Sequence, residues 1–389
     1  MSTAAKSPLP MQAFLAGARR RIPSLVKLAG QLIQFESPSD NKAAVDACIA
    51  FAAARALRIG GRVKIHPLSA AGDALESRFG PPSSPSRGRR DRILLLGHLD
   101  TVWPVGTLST MPFIISGHKL CGPGSLDMKA GVAMAFTALE LLLEADLLRH
   151  EVVLLLNGDE EIGSGASRSL IERLARQCGA VYVLEPAQGL ACKTARKGIG
   201  NWRIEVEGRS AHAGVDFEKG GNAIRELARV IETVSGWTNL KRGLTVSVGV
   251  ARGGTRSNVV PAHACAEVDV RIPRVSDGPR IARKFAALRA SLPHCKITVT
   301  GGINRPPMER SRGTVRLFRK AQALAHELGF ELEEASTGGG SDGNFTAALG
   351  VPTLDGMGAV GEGAHAANES VFGAHLAPRT ALLAGMLLG

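Results

Sequence analysis

Three apolar segments of the chain alternate with helical patterns, and each ends just before residues that can bind a metal ion. The segments are 92–97, 152–156 and 180–184. Short apolar runs separated by patterns of helical period predict a β-α-β alternation, and therefore a mostly parallel sheet. In open α/β sheets, sites form outside the carboxyl ends of the strands. We therefore expect the residues that follow these segments to share one edge of the sheet.

The hydrophobic pattern also predicts the helices and connections around these strands. We interpret residues 69–91, a polar stretch rich in Gly, Pro and Ser, as the connection that leads into the first of these strands. Apolar residues at helical spacing predict helices over 22–35, 43–57, 128–148 and 166–176.

The pattern changes after Lys193. Residues 201–207 alternate polar and apolar side chains, which is typical of an antiparallel strand with one solvated face. The predicted order from there is β-α-β-β-α-β, which resembles a ferredoxin-like module. Its later elements are a helix over 222–234, strands over 244–251 and 264–272, a helix over 278–291 and a strand over 296–300.

These patterns predict an α/β protein with a discontinuous catalytic domain. The catalytic domain, at 1–196 and 308–389, should hold a mixed, mostly parallel sheet sandwiched by helices. The inserted domain, at 197–307, should be a ferredoxin-like α+β domain. Two domains also agree with the length of 389 residues, because single cores usually stop growing below this size.

Cysteine usage and hydropathy indicate a cytoplasmic protein. The six Cys are scattered without a Cys-x-x-Cys pair, which argues against a disulfide framework or a thiolate zinc site. No uncharged apolar stretch reaches the roughly 18 residues of a membrane span. The Arg cluster 19–21 follows its apolar patch, whereas a secretory signal has the opposite order.

The chain is basic, with a formal net charge of +12, and this raises the question of a nucleic-acid partner. Its Lys and Arg are spread along the chain, and only 4% of residues are aromatic, so stacking platforms for bases are scarce. We expect no nucleic-acid and no membrane partner. A basic, non-catalytic binding protein is a remote alternative, and positive potential that draws anionic substrates is a milder reading of the charge.

The metal-ligand candidates form a set that suits a two-metal hydrolase. Such an enzyme needs a bridging carboxylate, a His and a carboxylate for each ion, and a nearby base. Two His with several carboxylates favour borderline divalent ions such as zinc. The candidates are His98, Asp127, Glu160, Glu161, Glu185 and His365.

Five motifs carry a resemblance to a known family. They resemble the di-zinc amidohydrolase and peptidase family, which includes glutamate carboxypeptidase (carboxypeptidase G type), aminoacylase, acetylornithine deacetylase and succinyl-diaminopimelate desuccinylase. The resemblance covers nearly the whole chain, including the inserted domain. The motifs are Gly97-His-Leu-Asp-Thr101, Gly122-Pro-Gly-Ser-Leu-Asp-Met-Lys-Ala-Gly131, Asp159-Glu-Glu-Ile-Gly163, Glu185-Pro186 and Gly363-Ala-His-Ala-Ala-Asn-Glu369.

The resemblance implies a site for two Zn²⁺ ions, with Co²⁺ or Mn²⁺ as substitutes. Asp127 would bridge the ions. His98 and Glu185 would complete the protein ligands of one ion, and Glu161 and His365 those of the other.

The same resemblance implies the roles of two further carboxylates. Glu160 would be the general base and acid, which takes a proton from a metal-bridging water and passes it to the leaving amine. Asp100, two residues after His98, would orient that imidazole.

In the inserted domain, His212 resembles a lid-domain histidine of the family. It lies in the sequence Ser210-Ala-His-Ala-Gly214. The family's histidine reaches across a dimer interface and polarises the scissile carbonyl group. The resemblance therefore implies a homodimer formed through the inserted domain.

Further positions resemble the family's substrate-binding residues. Asn258 and Arg271 match residues that bind a substrate carboxylate, a task that suits the planar guanidinium group. A turn Asn and an Arg at a strand end are also common surface features. The loop 337–345 is similar to a Gly-rich loop that borders the substrate pocket, and this makes Gly339 and Gly340 pocket-lining candidates.

The resemblance also bears on the substrate. In this family Glu at the position of Glu185 goes with carboxypeptidases and deacylases, and the chain looks closest to glutamate carboxypeptidases. The expected activity is zinc-dependent hydrolysis of a C-terminal amide bond in an N-acyl amino acid or small peptide with a free carboxylate, releasing glutamate or a similar amino acid. An N-acyl-amino-acid deacylase of aminoacylase or acetylornithine deacetylase type is the alternative.

Overall fold

The computed structural model describes residues 11–82 and 92–388. Within these residues no helix combines the length and the apolar character needed to cross a bilayer. The helices are α1 (Met11–Ile33), α2 (Lys42–Arg58), α3 (Ala130–Glu144), α4 (Arg168–Ala175), α5 (Ala223–Ser235), α6 (Asp277–Ala286), α7 (Arg312–Glu327), α8 (Gly343–Ala348) and α9 (Leu376–Met386).

The strands group into a six-stranded sheet, two four-stranded sheets and shorter pairs. They are β1 (Arg62–His66), β2 (Gly72–Phe79), β3 (Arg92–His98), β4 (Ile114–Ser116), β5 (Lys119–Cys121), β6 (Glu151–Gly158), β7 (Ala180–Val183), β8 (Cys192–Arg196), β9 (Gly198–Glu207), β10 (Ala211–His212), β11 (Thr245–Gly253), β12 (Val259–Val260), β13 (His263–Ile272), β14 (Lys296–Arg305), β15 (Glu334–Thr337), β16 (Thr353–Leu354), β17 (Gly361–Glu362) and β18 (Ser370–Phe372).

The described chain forms two compact units. The first unit comprises Met1–Ala195, Arg310–Ser336 and Ser341–Gly389, as far as these ranges are described. The second comprises Arg196–Glu309 and Thr337–Gly340. Four residues of the Gly-rich loop therefore group with the second unit.

The six-stranded sheet of the first unit has the order β1-β2-β6-β3-β7-β16. Strand β3 pairs in parallel with β6 and β7, and β16 pairs in parallel with β7. Strands β1 and β2 are antiparallel to their neighbours. The predicted mixed, mostly parallel sheet is confirmed, and the three strands expected to deliver ligands are adjacent.

Helices cover both faces of this sheet, as predicted. Alternate residues of β3 point to opposite faces: Leu95 packs in the core that includes α1, α3 and α9, while Leu94 and Leu96 pack in the core that includes α4 and α8. Burial on both faces explains the continuous apolar runs in the sequence. Each fully buried Leu contributes roughly 1.5–3 kcal/mol to stability.

Two predictions about the start of the chain are wrong. Part of the stretch interpreted as a connection is strand β2 (Gly72–Phe79), in which Glu76 pairs with Arg78 at 2.7 Å and with His66 at 2.8 Å. Because these charged side chains pair with one another, they can lie in a strand, although the sequence pattern predicts a loop there. Residues 83–91 of that stretch lie outside the described ones. Helix α1 begins at Met11, well before the predicted start, because its first turns pack in the core.

The second unit contains the predicted ferredoxin-like arrangement. Its antiparallel sheet has the order β11-β13-β9-β14, and α5 and α6 pack on one face. An aromatic group joins sheet and helices: Trp202 of β9 stacks on Phe285 of α6 with 4.4 Å between ring centroids, and Trp237 meets the same ring edge-on at 5.0 Å. Aromatic pairs of this kind add about 0.5–1.5 kcal/mol beyond area burial.

Candidate metal centre

The carboxyl edge of the parallel strands carries the first candidate ligands. His98 is the last residue of β3 and lies opposite Asn157 of β6 in the parallel register. Glu185 follows β7 by two residues, and the intervening Leu184 donates its N–H to the Leu96 carbonyl at 2.9 Å. The sheet therefore fixes His98 and Glu185 side by side.

Asp127 lies between two imidazoles. Its Oδ1 is 3.2 Å from His98 Nε2, and its Oδ2 is 3.3 Å from His365 Nε2. Each imidazole meets a further carboxylate: Glu185 Oε1 is 3.7 Å from His98 Nε2, and Glu161 Oε2 is 3.2 Å from His365 Nε2. The structure therefore brings all five predicted metal ligands together, in two groups that share Asp127.

The donor atoms fit divalent ions. Ligands at about 2.0–2.1 Å from a tetrahedral ion are about 3.3 Å from one another, close to the spacings between these imidazole and carboxylate atoms. Glu161 Oε1 is buried and has no hydrogen-bond partner among the residues that the structure describes. A buried carboxylate oxygen without a donor is costly, and a cation would satisfy it.

Glu160 also borders the centre. The donor atoms of His98, Glu160 and Glu185 lie within 4.8 Å of one another, as do those of His98, Asp127 and Glu161. Glu160 and Glu161 share a tight turn, in which Gly163 N–H donates to the Glu160 carbonyl at 2.9 Å. Adjacent residues of one turn direct their side chains differently, so one carboxylate can bind a metal while the other stays available for proton transfer.

Asp100 is a buried carboxylate that organises this edge. It lies 3.3 Å from His98 Nδ1 and accepts the backbone N–H groups of Glu160, at 3.2 Å, and Glu161, at 3.1 Å. Ser39 Oγ donates to it at 2.7 Å. Burial alone would raise the pKa of Asp100, but the hydrogen bond and charge of His98, together with the hydrogen bonds from Ser39 and the Glu161 N–H, outweigh burial and lower this pKa. Asp100 therefore fixes both the imidazole, with Nε2 directed at the centre, and the turn that carries Glu160.

The segment before α3 is irregular, which is why the helix starts at Ala130 and not at 128. Gly124 has φ +68°, and a Cβ atom there would lie 2.6 Å from Thr101 Cγ2, so the position requires glycine. Asp127 has non-helical φ and ψ angles, and its peptide bond to Met128 is cis. The non-helical backbone angles of Asp127 turn its side chain out of the helical path toward the two imidazoles.

Glu369 closes the last of the five motifs, and its sequence context assigns it no role. Its buried carboxylate accepts the backbone N–H groups of Gly124 (3.0 Å), Leu126 (2.8 Å) and Asp127 (3.0 Å), and Trp103 Nε1–H at 2.8 Å. Burial raises the pKa of Glu369, and these donors oppose the rise. No pattern of local spacing reveals this role, because the partners lie more than 240 positions away in sequence.

Asp159 and Asp342 hold the turn that follows β6. Asp159 Oδ2 accepts the N–H groups of Ala166 (2.9 Å) and Ser167 (3.1 Å), so this carboxylate caps a turn. Asp342 accepts Ser164 Oγ–H, and Asn157 Nδ2–H at 2.8 Å. The first turn of the loop after Gly340 is therefore tied to the segment that carries Glu160.

Charge pairing shifts the titration of the ligand candidates. Hydrogen bonds with Asp127 and Glu161 raise the pKa of His365 to about 10. Burial alone would lower the pKa of His98, but hydrogen bonds with Asp100 and Asp127 raise it well above its usual value. Burial alone would raise the pKa of Asp127, but the two imidazoles hold it well below its usual range. The centre is therefore strongly anionic and attracts cations.

The sequence profile of peptidase family M20/M25/M40 matches residues 94–389. The chain belongs to this family. It is a hydrolase that acts on peptide or amide bonds, as predicted, and the family resemblance read from the five motifs is confirmed.

Individual similar proteins agree with this family assignment. Carboxypeptidase G2 of Pseudomonas sp. (strain RS-16) is 31% identical over 302 residues, which are 76% of this chain and 73% of the relative. Succinyl-diaminopimelate desuccinylase of Delftia acidovorans is 28% identical over 283 residues, 67% and 72% of the two chains. The YXEP protein of Bacillus subtilis, described as a dinuclear metal binding peptidase from the M20 family, has the same fold: its TM-score is 0.64 at 15% identity, over 95% of this chain and 98% of that one.

In the second unit of this M20 protein, His212 and Asn258 come together. His212 of β10 pairs with Val259 of β12, and Ala213 N–H donates to the Asn258 carbonyl at 3.1 Å. Gly214 N–H donates to His212 Nδ1 at 3.2 Å. A neutral ring therefore carries its proton on Nε2, the atom that can donate to a carbonyl oxygen.

Arg271 lies apart from that pair, at the Gly-rich loop. Its Nε and Nη2 donate to the Asp269 carboxylate at 2.8 and 2.9 Å, and its Nη1 donates to the Gly338 carbonyl at 3.3 Å. The carbonyl groups of Gly339 and Gly340 accept Arg196 Nη1–H at 3.2 and 3.0 Å. The second unit thus gathers the predicted carboxylate-binding Arg and the predicted pocket glycines in one place.

Proposed function

We propose that the protein is a two-zinc carboxypeptidase that hydrolyses the C-terminal amide bond of an N-acyl amino acid or small peptide and releases glutamate or a similar amino acid. The observation that carries the proposal is the placing of Asp127 between His98 and His365, with a separate carboxylate beside each imidazole. This is the donor set that a two-metal hydrolase requires.

In this proposal the ligands divide as the distances suggest. His98 and Glu185 would hold one ion, Glu161 and His365 would hold the other, and Asp127 would be the ligand that the two groups share. When bound, two divalent ions polarise the scissile carbonyl group and lower the pKa of a water molecule toward about 7. Zinc suits the mixed imidazole and carboxylate donors, and Co²⁺ or Mn²⁺ should substitute for it.

Glu160 moves the proton. A water oxygen forms a bond to the carbonyl carbon, and Glu160 accepts the proton that this oxygen releases. When the carbon–nitrogen bond breaks, Glu160 donates that proton to the leaving amine nitrogen, so the products are a carboxylic acid and a free amino acid. Asp100 keeps the Glu160 turn and His98 in place through its contacts with both. A positioned base of this kind contributes about 10²–10⁴-fold to the rate.

The second unit supplies substrate recognition. In this proposal Arg271 binds the free carboxylate of the substrate. His212 and Asn258, which lie together and apart from Arg271, would act across the interface of the proposed homodimer, where His212 Nε2–H would donate to the scissile carbonyl oxygen and Asn258 would contact the carboxylate. Asp269 accepts from Nε and Nη2 of the guanidinium group and the Gly338 carbonyl accepts from Nη1, so one N–H of Nη1 and one of Nη2 remain for hydrogen bonds to that carboxylate. Gly339 and Gly340 line the pocket beside it.

Replacement of Arg271 by Lys should weaken use of substrates with a free C-terminal carboxylate. Lys keeps the charge but loses the planar fork, so kcat/KM should fall about 10- to 100-fold, as expected for losing a hydrogen bond to a charged group. The measurement is kcat/KM for an N-acyl-glutamate beside its C-terminal amide analogue, which should be affected much less.

Arg203 offers a matched control for Arg271. It lies on the same sheet and pairs with Glu205, two residues along its strand at 2.9 Å, as Arg271 pairs with Asp269. The Arg203→Lys variant should keep the parent kcat/KM. An equal loss in both variants, or an equal loss with the amide analogue, would contradict carboxylate binding by Arg271.

Metal binding should release protons at neutral pH. The raised pKa values of His98 and His365 mean that both imidazoles carry a proton at pH 7 in the metal-free chain, and a protonated imidazole cannot bind a metal. Binding of zinc should therefore release on the order of two protons, and affinity should increase with pH up to the pKa of His365, about 10. Calorimetry in buffers of different ionisation enthalpy measures the release, and binding without it would refute this charge assignment.

The substrate class is tested by amine release from the zinc-loaded protein. The panel comprises N-acyl-glutamates, other N-acyl amino acids, N-acetylornithine and dipeptides. A strong preference for C-terminal glutamate supports the carboxypeptidase reading. A preference set by the acyl group, or by a neutral or basic amino acid, favours the deacylase alternative, for which the similarity to the desuccinylase is the supporting observation.

Other expectations remain predictions. These are the cytoplasmic location, the homodimer through the inserted domain and the absence of nucleic-acid and membrane partners. Because the chain belongs to a peptidase family, a non-catalytic binding protein is no longer needed to explain the basic charge. We propose instead that the net charge of +12 draws anionic substrates.

A further inference from the structure

Glu369 is a buried carboxylate beside the centre for which neither the ligand set nor the proton pathway accounts. It is fully buried, and its two oxygens accept hydrogen bonds from Gly124, Leu126, Asp127 and Trp103. Burying a carboxylate is expensive unless donors compensate it, and four N–H donors do so here.

The donors come from different ligand-bearing segments. Trp103 follows the segment of His98 and Asp100, and the Gly124–Asp127 turn carries the shared carboxylate. Glu369 itself ends the segment of His365, and its N–H donates to the Ala366 carbonyl at 2.9 Å. Its own carbonyl accepts Gly122 N–H at 3.3 Å, which adds a second bond between the same two segments. One residue thus joins the segments that bear His98, Asp127 and His365.

We propose that Glu369 is a positioning residue that holds these three segments in register and thereby sets the affinity of the centre for its metal ions. The inference rests on the proposed two-metal function. Direct ligands bind strongly only if they are held in place before the ion arrives. Replacing a residue that hydrogen-bonds to a ligand typically lowers metal affinity by 10- to 100-fold. Asp127 is the ligand most dependent on this support, because its own N–H is bound by Glu369 and its backbone is irregular.

Glu369→Gln tests the inference with an almost unchanged shape. Glu369 Oε1 accepts Leu126 and Asp127, and Oε2 accepts Gly124 and Trp103. In either orientation the Gln amide must direct its NH₂ group at one of these N–H pairs. We expect zinc affinity to fall about 10- to 100-fold in chelator competition. The visible spectrum of the Co²⁺-loaded variant should also change, because the ligand geometry around Asp127 changes.

Glu226 provides a matched control in the second unit. It is also a buried carboxylate, which accepts Ser291 N–H at 3.1 Å and Leu292 N–H at 2.8 Å. Glu226→Gln should lower thermal stability yet leave zinc affinity and the Co²⁺ spectrum as in the parent. An equal loss of zinc affinity in this variant would show a general effect of lost stability and would overturn the positioning role.

A second variant keeps the test decisive if Glu369→Gln does not fold. Trp103→Phe removes one donor and leaves the three backbone N–H groups on Glu369, so zinc affinity should fall by less, up to about 10-fold. Parental affinity in every variant that folds would overturn the proposal. Failure of the underlying function would look different, because the parent protein itself would then not bind two ions.

Discussion

A Glu160→Gln variant should lose turnover while it keeps both metal ions. Gln preserves the size of the side chain but cannot accept the proton from water, so kcat should fall by at least the 10²–10⁴-fold that a positioned base contributes. Glu160→Ala should behave in the same way. The measurements are the rate of amine release from the zinc-loaded protein and the zinc content of the purified variant.

Glu161 is the matched control, because it is the adjacent residue of the same turn. Its Oε2 lies 3.2 Å from His365 Nε2, and we propose it as a metal ligand. Glu161→Gln should therefore lose zinc from one position, whereas Glu160→Gln should not. An active Glu160→Gln variant would contradict the mechanism, and loss of zinc from Glu160→Gln alone would mean that the two carboxylates have exchanged roles.

An Asp127→Asn variant should lose metal from both positions and show no measurable turnover. The carboxylate directs one oxygen to each imidazole group, and an amide offers only one oxygen ligand and no negative charge. The loss of zinc affinity should exceed the 10- to 100-fold loss expected when a residue that only hydrogen-bonds to a ligand is replaced, as in Asp100→Asn. Zinc content by elemental analysis and calorimetric titration measures this order of effects.

Asp277 controls for the Asp127 substitution. It is a buried Asp of the second unit, and Arg242 pairs with it at 2.8 Å. Asp277→Asn should retain two zinc ions per chain. Binding of two ions with parental affinity by Asp127→Asn would show that Asp127 does not bridge them.

The ligand-bearing strands could be predicted because their sequence signal is local. Both faces of β3 and β6 are buried, so these strands are continuous apolar runs, and the ligands follow directly after them. Asp127 and His365 lie outside this pattern: they were candidates from their residue types and sequence contexts, and the motif resemblance gave them their roles. The second unit was predictable for a similar reason, because its strands alternate between a helix-covered and a solvated face.

The missed features depend on contacts between residues distant in sequence. Strand β2 was interpreted as part of a loop because it carries Glu76 and Arg78, whose charges are satisfied by partners on β1 and β6. Glu369 gave no signal because its four donors come from segments far along the chain. A local pattern shows which residues can form an element, but not which buried polar groups they will meet.

The most direct test of the central claim is a zinc titration of the metal-free protein, with amine release from an N-acyl-glutamate followed at each addition. We expect binding of two zinc ions per chain and turnover that reaches its maximum only as the second ion binds. Turnover by the fully chelated protein, or a maximum reached with a single ion bound, would contradict a two-metal centre built on Asp127.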